Sequence, residues 1–239
     1  QSGIPDDAED DFDSDYATVE DVFEVVADTP LLGMPGEAFS YSNLSASIAG
    51  YIGVLAAGET DNSLYDGYEQ LLQTYVLDPI GMKTAVLRAS AAQNNPNYGK
   101  SYIFDMEGTA VVAESEDFDG DPLAPSGSLK ASVADMARYL STQINRGQAP
   151  NGTRVVSEAN LMATWKPALE DYGMGWEVGE YEDVVLISHE GAFDNYLSVI
   201  GLLPEQDIGF VILTNSEEAG GRLIDEGPYV LIELLLGDE

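Results

Sequence analysis

The chain has no cysteine, a single histidine and only nine Lys and Arg among 239 residues. Without cysteine there is no disulfide framework, no thiolate-ligated zinc and no cysteine nucleophile. Against the nine cations stand 43 Asp and Glu, for a formal net charge of −34 at pH 7. That charge repels phosphate, which argues against nucleic acid and anionic membranes as partners. Long apolar runs are also missing. The longest weakly polar stretch, Leu44 to Ala57, carries two Ser and two Gly and is too short to span a bilayer. No signal peptide is visible, and the compartment is left open. What the chain does have is core material. With 44% hydrophobic and 9% aromatic residues, it is no disordered acidic tail.

The acid is spread along the chain, and the only lysines are Lys83, Lys100, Lys130 and Lys166. Such self-repulsion destabilises a compact state at low salt. At molar salt the Debye length falls to about 3 Å and the repulsion between surface carboxylates fades. A salt-adapted, halophilic protein is therefore expected. The densest run, Asp6 to Asp15, spaces Asp11, Asp13 and Asp15 alternately but lacks the turn glycine and distal glutamate of a calcium loop. It reads as a solvated loop, and no metal site is expected.

Periodicity divides the chain into two unlike parts. Thr18 followed by Val19, Val22, Phe23 and Val26 predicts an amphipathic helix ending before Pro30. Leu31 to Phe39 is a loop punctuated by Pro35-Gly36. A helix is predicted from Asn43 to about Ala57, closed by Gly58. In it Gly50 and Gly53 are one helical neighbour apart, which implies close packing on another element. Leu64 to Leu77 is a further helix, stopped by Asp78-Pro79. Short strands at Lys100–Phe104 and Thr109–Ala113 flank a turn at Gly108. Ser132 with Asp135 resembles a capping box at the start of a helix that Gly147 closes. Ser157 to about Thr164 is another short helix.

The last third alternates strand and turn signals. Gly175–Glu180, Val184–His189, Tyr196–Leu203 and Ile208–Thr214 predict an antiparallel meander. Ile208 to Leu213 is nearly all apolar and is expected to be covered on both faces. Arg222 to Leu236 is a final helix backing the sheet, kinked or begun at Pro228. The fold class is α+β, with a cleft where the helical region meets the sheet.

Three short pieces carry the chemistry. Tyr41-Ser42-Asn43 opens a helix, His189-Glu190-Gly191 ends a strand, and Pro125-Ser126-Gly127-Ser128-Leu129 precedes a capped helix. Each has a plain structural reading alone. Tyr41 reads as a core tyrosine, Asn43 as a helix cap, His189 as a structural histidine, and Ser126 and Ser128 as loop residues. Trp165 and Trp176 read as core or cleft wall. With PGEAFSYSN, DPIGMKT, SGSLKASVADMARYL, YGMGWEV and ISHEGAFDNYLSVIGLLPEQDIGFVILTN in this order, the chain resembles the serine β-lactamase-related family. That family includes class C β-lactamases, DD-peptidases, family VIII esterases and D-aminopeptidases.

The resemblance implies a β-lactamase/DD-peptidase-like fold and nucleophilic acyl transfer. A serine hydroxyl attacks a carbonyl, a base takes its proton, and backbone N–H groups hold the oxyanion. Carried over, Tyr41 is that base or its relay. A tyrosine pKa near 10 then calls for neighbouring cations. Asn43 donates its amide to the substrate carbonyl. His189 stands where many relatives have lysine, and would hydrogen-bond Tyr41 or the incoming substrate. Gly191 lets substrate backbone lie against the strand, the Ala192 N–H is one oxyanion donor, and Ser126 lines the substrate pocket. No metal or organic cofactor is implied, and the partner is a small ester or amide.

The family's S-x-x-K is missing. The residues three before the lysines are Ile80, Asn97, Gly127 and Ala163, and G-x-S-x-G is absent too. The opening QSGIPDD resembles a family segment that lies downstream of S-x-x-K. One incomplete domain is therefore expected over residues 1–239. Residues 1–170 form a mostly helical part with Y-S-N, and residues 171–239 a sheet with H-E-G and the C-terminal helix. The nucleophile would come from a missing N-terminal segment or a second chain. Such a fragment is expected to be inactive alone and to expose apolar surface. The alternative is a non-catalytic β-lactamase-like binding or scaffold module.

Overall fold

The computed structural model describes residues 2–9, 18–59 and 63–237; the Asp11, Asp13, Asp15 spacing lies outside them. Helix α1 (Val19–Asp28) begins at a closed capping box. The Thr18 hydroxyl accepts from the Asp21 N–H, and the Asp21 carboxylate accepts from the Thr18 N–H at 2.7 Å. Helix α2 (Asn43–Ala57) ends, as expected, at Gly58 with φ +77°. A Cβ on Gly50 would lie 2.5 Å from the Pro125 Cβ, so close packing holds there. It does not hold at Gly53, where nothing lies within 4 Å.

Helix α3 (Leu64–Leu72) does not stop at Asp78-Pro79. It widens through a π-helical turn, Gln73–Leu77, and continues as α4 (Asp78–Ile80) to Gly81 at φ +83°. Pro79 fits because it occupies the first turn of α4, where a missing N–H and a fixed φ do no harm. The N–H groups of Gly81 and Met82 both reach the Leu77 carbonyl at 2.9 Å.

Helix α5 (Ala89–Gln93) is followed by a hairpin of β1 (Tyr102–Phe104) and β2 (Ala110–Val112) about Gly108. Helices α6 (Ala124–Gly127), α7 (Val133–Ile144) and α8 (Glu158–Thr164) come next. Ser132 caps α7, but the box does not close. The buried Asp135 carboxylate turns instead to the Thr84 backbone N–H, at 2.9 Å, and to the Thr84 hydroxyl.

The second part is an antiparallel meander in the order β3 (Glu177–Tyr181), β4 (Val184–Phe193), β5 (Tyr196–Leu203), β6 (Ile208–Thr214). Glu182-Asp183 and Asp194-Asn195 both take positive φ at each residue. This is the two-residue turn whose twist matches paired strands. It forces β4 and β5 to pair up to the turn, so β4 runs four residues beyond the expected end, and His189 lies inside the strand.

Helix α9 (Glu217–Leu236) starts at the Ser216 cap, five residues before the expected start. Gly220 is not a breaker there: a Cβ would strike the Thr214 side chain, so the glycine lets α9 close on β6. Pro228 is buried within the helix.

Alternation along the strands builds two cores. Ile187 and Leu202 join Leu140, Leu161, Trp165 and Trp176 on the side of α7 and α8. Val199, Leu203 and Phe210 join Ile224 and Ile232 under α9. Strand β6 is covered on both faces from Phe210 to Ile212, while Gly209 and Leu213, within the stretch expected to be covered, are exposed. Among the described residues no helix is long and apolar enough to cross a membrane.

Candidate active site

The site is assembled where the entry to α2 meets the middle of β4. Ser42 is buried and extended, and its hydroxyl accepts from the Ser45 N–H at 3.2 Å. It satisfies one of the open donors of the first turn. The cap is therefore Ser42, and Asn43 is the first helical residue. Capping fixes where the chain turns, and holds Tyr41, 41% exposed, just ahead of the helix.

On β4, His189 pairs with Ile200. It shares a strand face with Ile187, so His189, Gly191 and Phe193 continue that face beyond the core. Strand β3 covers β4 only as far as Ser188, opposite Glu177. From His189 to Phe193 that edge has no strand partner among the described residues. Gly191 lies opposite Ser198, and a Cβ there would sit 2.6 Å from the Ser198 hydroxyl oxygen. Ala192 follows, opposite Leu197.

The rings of Tyr41 and His189 are 6.1 Å apart between centroids. The imidazole Nε2 lies 2.8 Å from the hydroxyl of Tyr172, and its Nδ1 2.5 Å from the Glu190 carbonyl oxygen. Tyr172 also meets Tyr41 edge-on at 6.2 Å and Phe39 at 5.2 Å. Sequence reasoning gave Tyr172 no role. It stands in a loop locked at both ends. Trp176 is buried in the core, the Gly173 N–H donates to the Trp176 carbonyl at 2.8 Å, and a Cβ on Gly173 would strike the Thr164 carbonyl. The signal was an aromatic residue beside a Gly-x-Gly-Trp turn.

Ser126 lies in the single turn of α6, where its hydroxyl donates to the Leu123 carbonyl at 2.7 Å. Ser128 donates to the buried Asp121 at 2.6 Å. Lys130 is tied to the Asp117 carboxylate at 2.8 Å and the Leu87 carbonyl at 3.0 Å, with its ammonium 5.8 Å from the Phe193 ring centroid. This links the SGSLK segment to the end of β4.

The local field is negative. Burial, with Tyr41 and Glu177 nearby, pushes the Tyr172 hydroxyl up to about 12. Burial and the charges of Glu177 and Asp225 hold Glu190 above the usual carboxylate range, with His189 opposing. Tyr172 also walls a groove of about 390 Å³ along the outer edge of β3. Phe39, Tyr181 and Tyr229 supply its other aromatic surface, and Glu170, Asp171, Glu177 and Glu180 its charge. Among the described residues no group of three or more His, Cys, Asp or Glu is placed to hold a metal ion.

The Beta-lactamase family model matches residues 1–234. "Protein flp" of Staphylococcus aureus (strain MW2) is 27% identical over 217 residues, which are 90% of this chain and 41% of that protein. The chain thus spans less than half the length of this curated relative. The octameric penicillin-binding protein homologue from Pyrococcus abyssi superposes with a TM-score of 0.76 at 24% identity, over 99% of this chain and 54% of that one. A class C beta-lactamase superposes with a TM-score of 0.65 at 17% identity, over 90% of this chain and 62% of that one. The fold is β-lactamase/DD-peptidase-like, with helices, an antiparallel sheet and a C-terminal helix.

Proposed function

Because this chain belongs to the Beta-lactamase family, whose members are serine hydrolases, we propose that it serves a hydrolase cleaving small esters or amides through an acyl-enzyme. The observation that carries this reading is the convergence of Tyr41, Tyr172 and His189, from three separate segments, at the open edge of β4. Tyr41 acts on the proton of the nucleophile, Asn43 and the Ala192 N–H hold the substrate carbonyl, and Gly191 keeps the strand edge low enough for substrate backbone. The acidic, aromatic-walled groove beside Tyr172 favours substrates with a neutral or cationic substituent.

The nucleophilic serine and its lysine lie, in this proposal, in chain outside residues 1–239, supplied by an upstream segment or a second chain. The surface supports this. Strand β6 ends the sheet order among the described residues. The outer stripe of α9, Leu223, Val230 and Leu234, is exposed, Leu234 by 74%. The halophilic reading belongs to the same proposal and rests on the charge alone.

The test uses the full-length parent protein. A fluorophosphonate should label a serine of S-x-x-K upstream of Gln1, and Tyr41→Phe should slow labelling about 100-fold or more. Labelling elsewhere, or an unchanged rate in Tyr41→Phe, would sink the assignment. An upstream sequence without S-x-x-K would favour the non-catalytic binding module. Residues 1–239 alone should not turn over p-nitrophenyl acetate; turnover would show that the nucleophile had been misplaced.

A further inference from the structure

We infer that Tyr172 is a positioning residue that holds His189 as one neutral tautomer, with the proton on Nδ1 and Nε2 acting only as an acceptor. The argument runs from the partners of the two nitrogens. Nδ1 lies 2.5 Å from the Glu190 carbonyl oxygen. A carbonyl can only accept, so Nδ1 must carry the hydrogen. The neutral ring then has a bare Nε2, and the group 2.8 Å from it is the Tyr172 hydroxyl. That hydroxyl donates. Its buried setting, which disfavours the phenolate, keeps the hydrogen available.

The two bonds reinforce each other, since both require the same tautomer. It is the opposite of the Nε2–H form that free imidazole side chains prefer, so it has to be imposed. Tyr172 is rigid enough to impose it. Its loop is pinned by the buried Trp176 and by the close approach of Gly173 to Thr164, and its ring is packed on Phe39 and Tyr41.

The consequence is a division of labour. In the neutral ring both nitrogens are engaged, Nδ1 by the Glu190 carbonyl and Nε2 by the Tyr172 hydroxyl. The ring shapes the site and becomes an N–H donor through Nε2 only when it is protonated. This deepens the proposed hydrolase site and rests on that reading for its catalytic meaning. The geometry can be tested without any turnover, so failure of one is distinguishable from failure of the other.

His189 is the only histidine, so long-range proton–nitrogen correlation on the uniformly 15N-labelled chain at alkaline pH gives one imidazole pattern. Nδ1 should appear as the protonated nitrogen and Nε2 as the unprotonated one, displaced by its hydrogen bond. In Tyr172→Phe, Nε2 should move to the position of an unbonded acceptor. Diethylpyrocarbonate, which attacks the bare nitrogen, should modify that variant about threefold to tenfold faster, the equivalent of one neutral hydrogen bond. A wild-type pattern with the proton on Nε2, or with two averaged nitrogens, overturns the inference whether or not the variant folds. An Nε2 signal unmoved in a folded Tyr172→Phe overturns the role of Tyr172.

Discussion

Replacing Lys130 by methionine tests the link between the SGSLK segment and the end of β4. The Asp117 side chain is 6% exposed, and Lys130 is its ion-pair partner at 2.8 Å. Burial raises the proton affinity of Asp117 above that of an ordinary aspartate, and Lys130 opposes the rise through its hydrogen bond and charge. Lys130→Met keeps the aliphatic stem but leaves a buried carboxylate uncompensated. Breaking such a pair costs about 3–5 kcal/mol. Asp117 then holds its proton more tightly folded than unfolded. The native state therefore binds more protons, and stability must fall as pH rises through the folded pKa. Urea unfolding followed by tryptophan fluorescence should show the largest loss at pH 7 and a smaller one as pH is lowered through the acid range. Adding Asp117→Asn should restore most of the loss, leaving about 1 kcal/mol for the bond from Lys130 to the Leu87 carbonyl. Because the pair is buried, the loss should persist in concentrated KCl. A Lys130→Met loss under about 1 kcal/mol at pH 7, with no recovery in the double variant, would refute the reasoning.

The two glycines of α2 should respond oppositely. Gly53→Ala meets open space and should stabilise by about 0.5–1 kcal/mol. Gly50→Ala drives a methyl into Pro125 and should cost about 1–3 kcal/mol; thermal melts with the same sign for both would contradict the packing described. With a formal charge of −34, the wild-type melting temperature should climb as KCl is raised from 0.1 M towards about 2 M, where the Debye length nears 3 Å. A melting temperature that stays flat or falls would remove the salt-adapted reading.

Local signals were legible where they acted locally. The capping residues Thr18, Ser42, Ser132 and Ser157 and the positive-φ turns at Gly58 and Gly108 stand where periodicity put element ends. The departures share a cause: a tertiary contact overrode a local cue. Pro79 looked like a stop, but the π turn before it places it at the start of α4. The expected start at Arg222 left Gly220 outside α9, but Gly220 is the contact surface for Thr214. Asp135 looked like half of a capping box, but Thr84, 51 residues earlier, claims its carboxylate.

The same logic governs the site. Tyr41 and His189 are almost 150 residues apart in the chain, and no spacing rule joins them; only the ordered family segments did. Ser126 sits in one of those segments, yet its hydroxyl is spent within its own turn. Tyr172 belongs to the site because Trp176 and Gly173 fix a loop that delivers its hydroxyl to Nε2. That is a property of packing. A motif residue can thus spend its side chain on a local bond, while another joins the site through the rigidity of its neighbours. Motif matching will keep favouring the first kind over the second until the tertiary contacts are known.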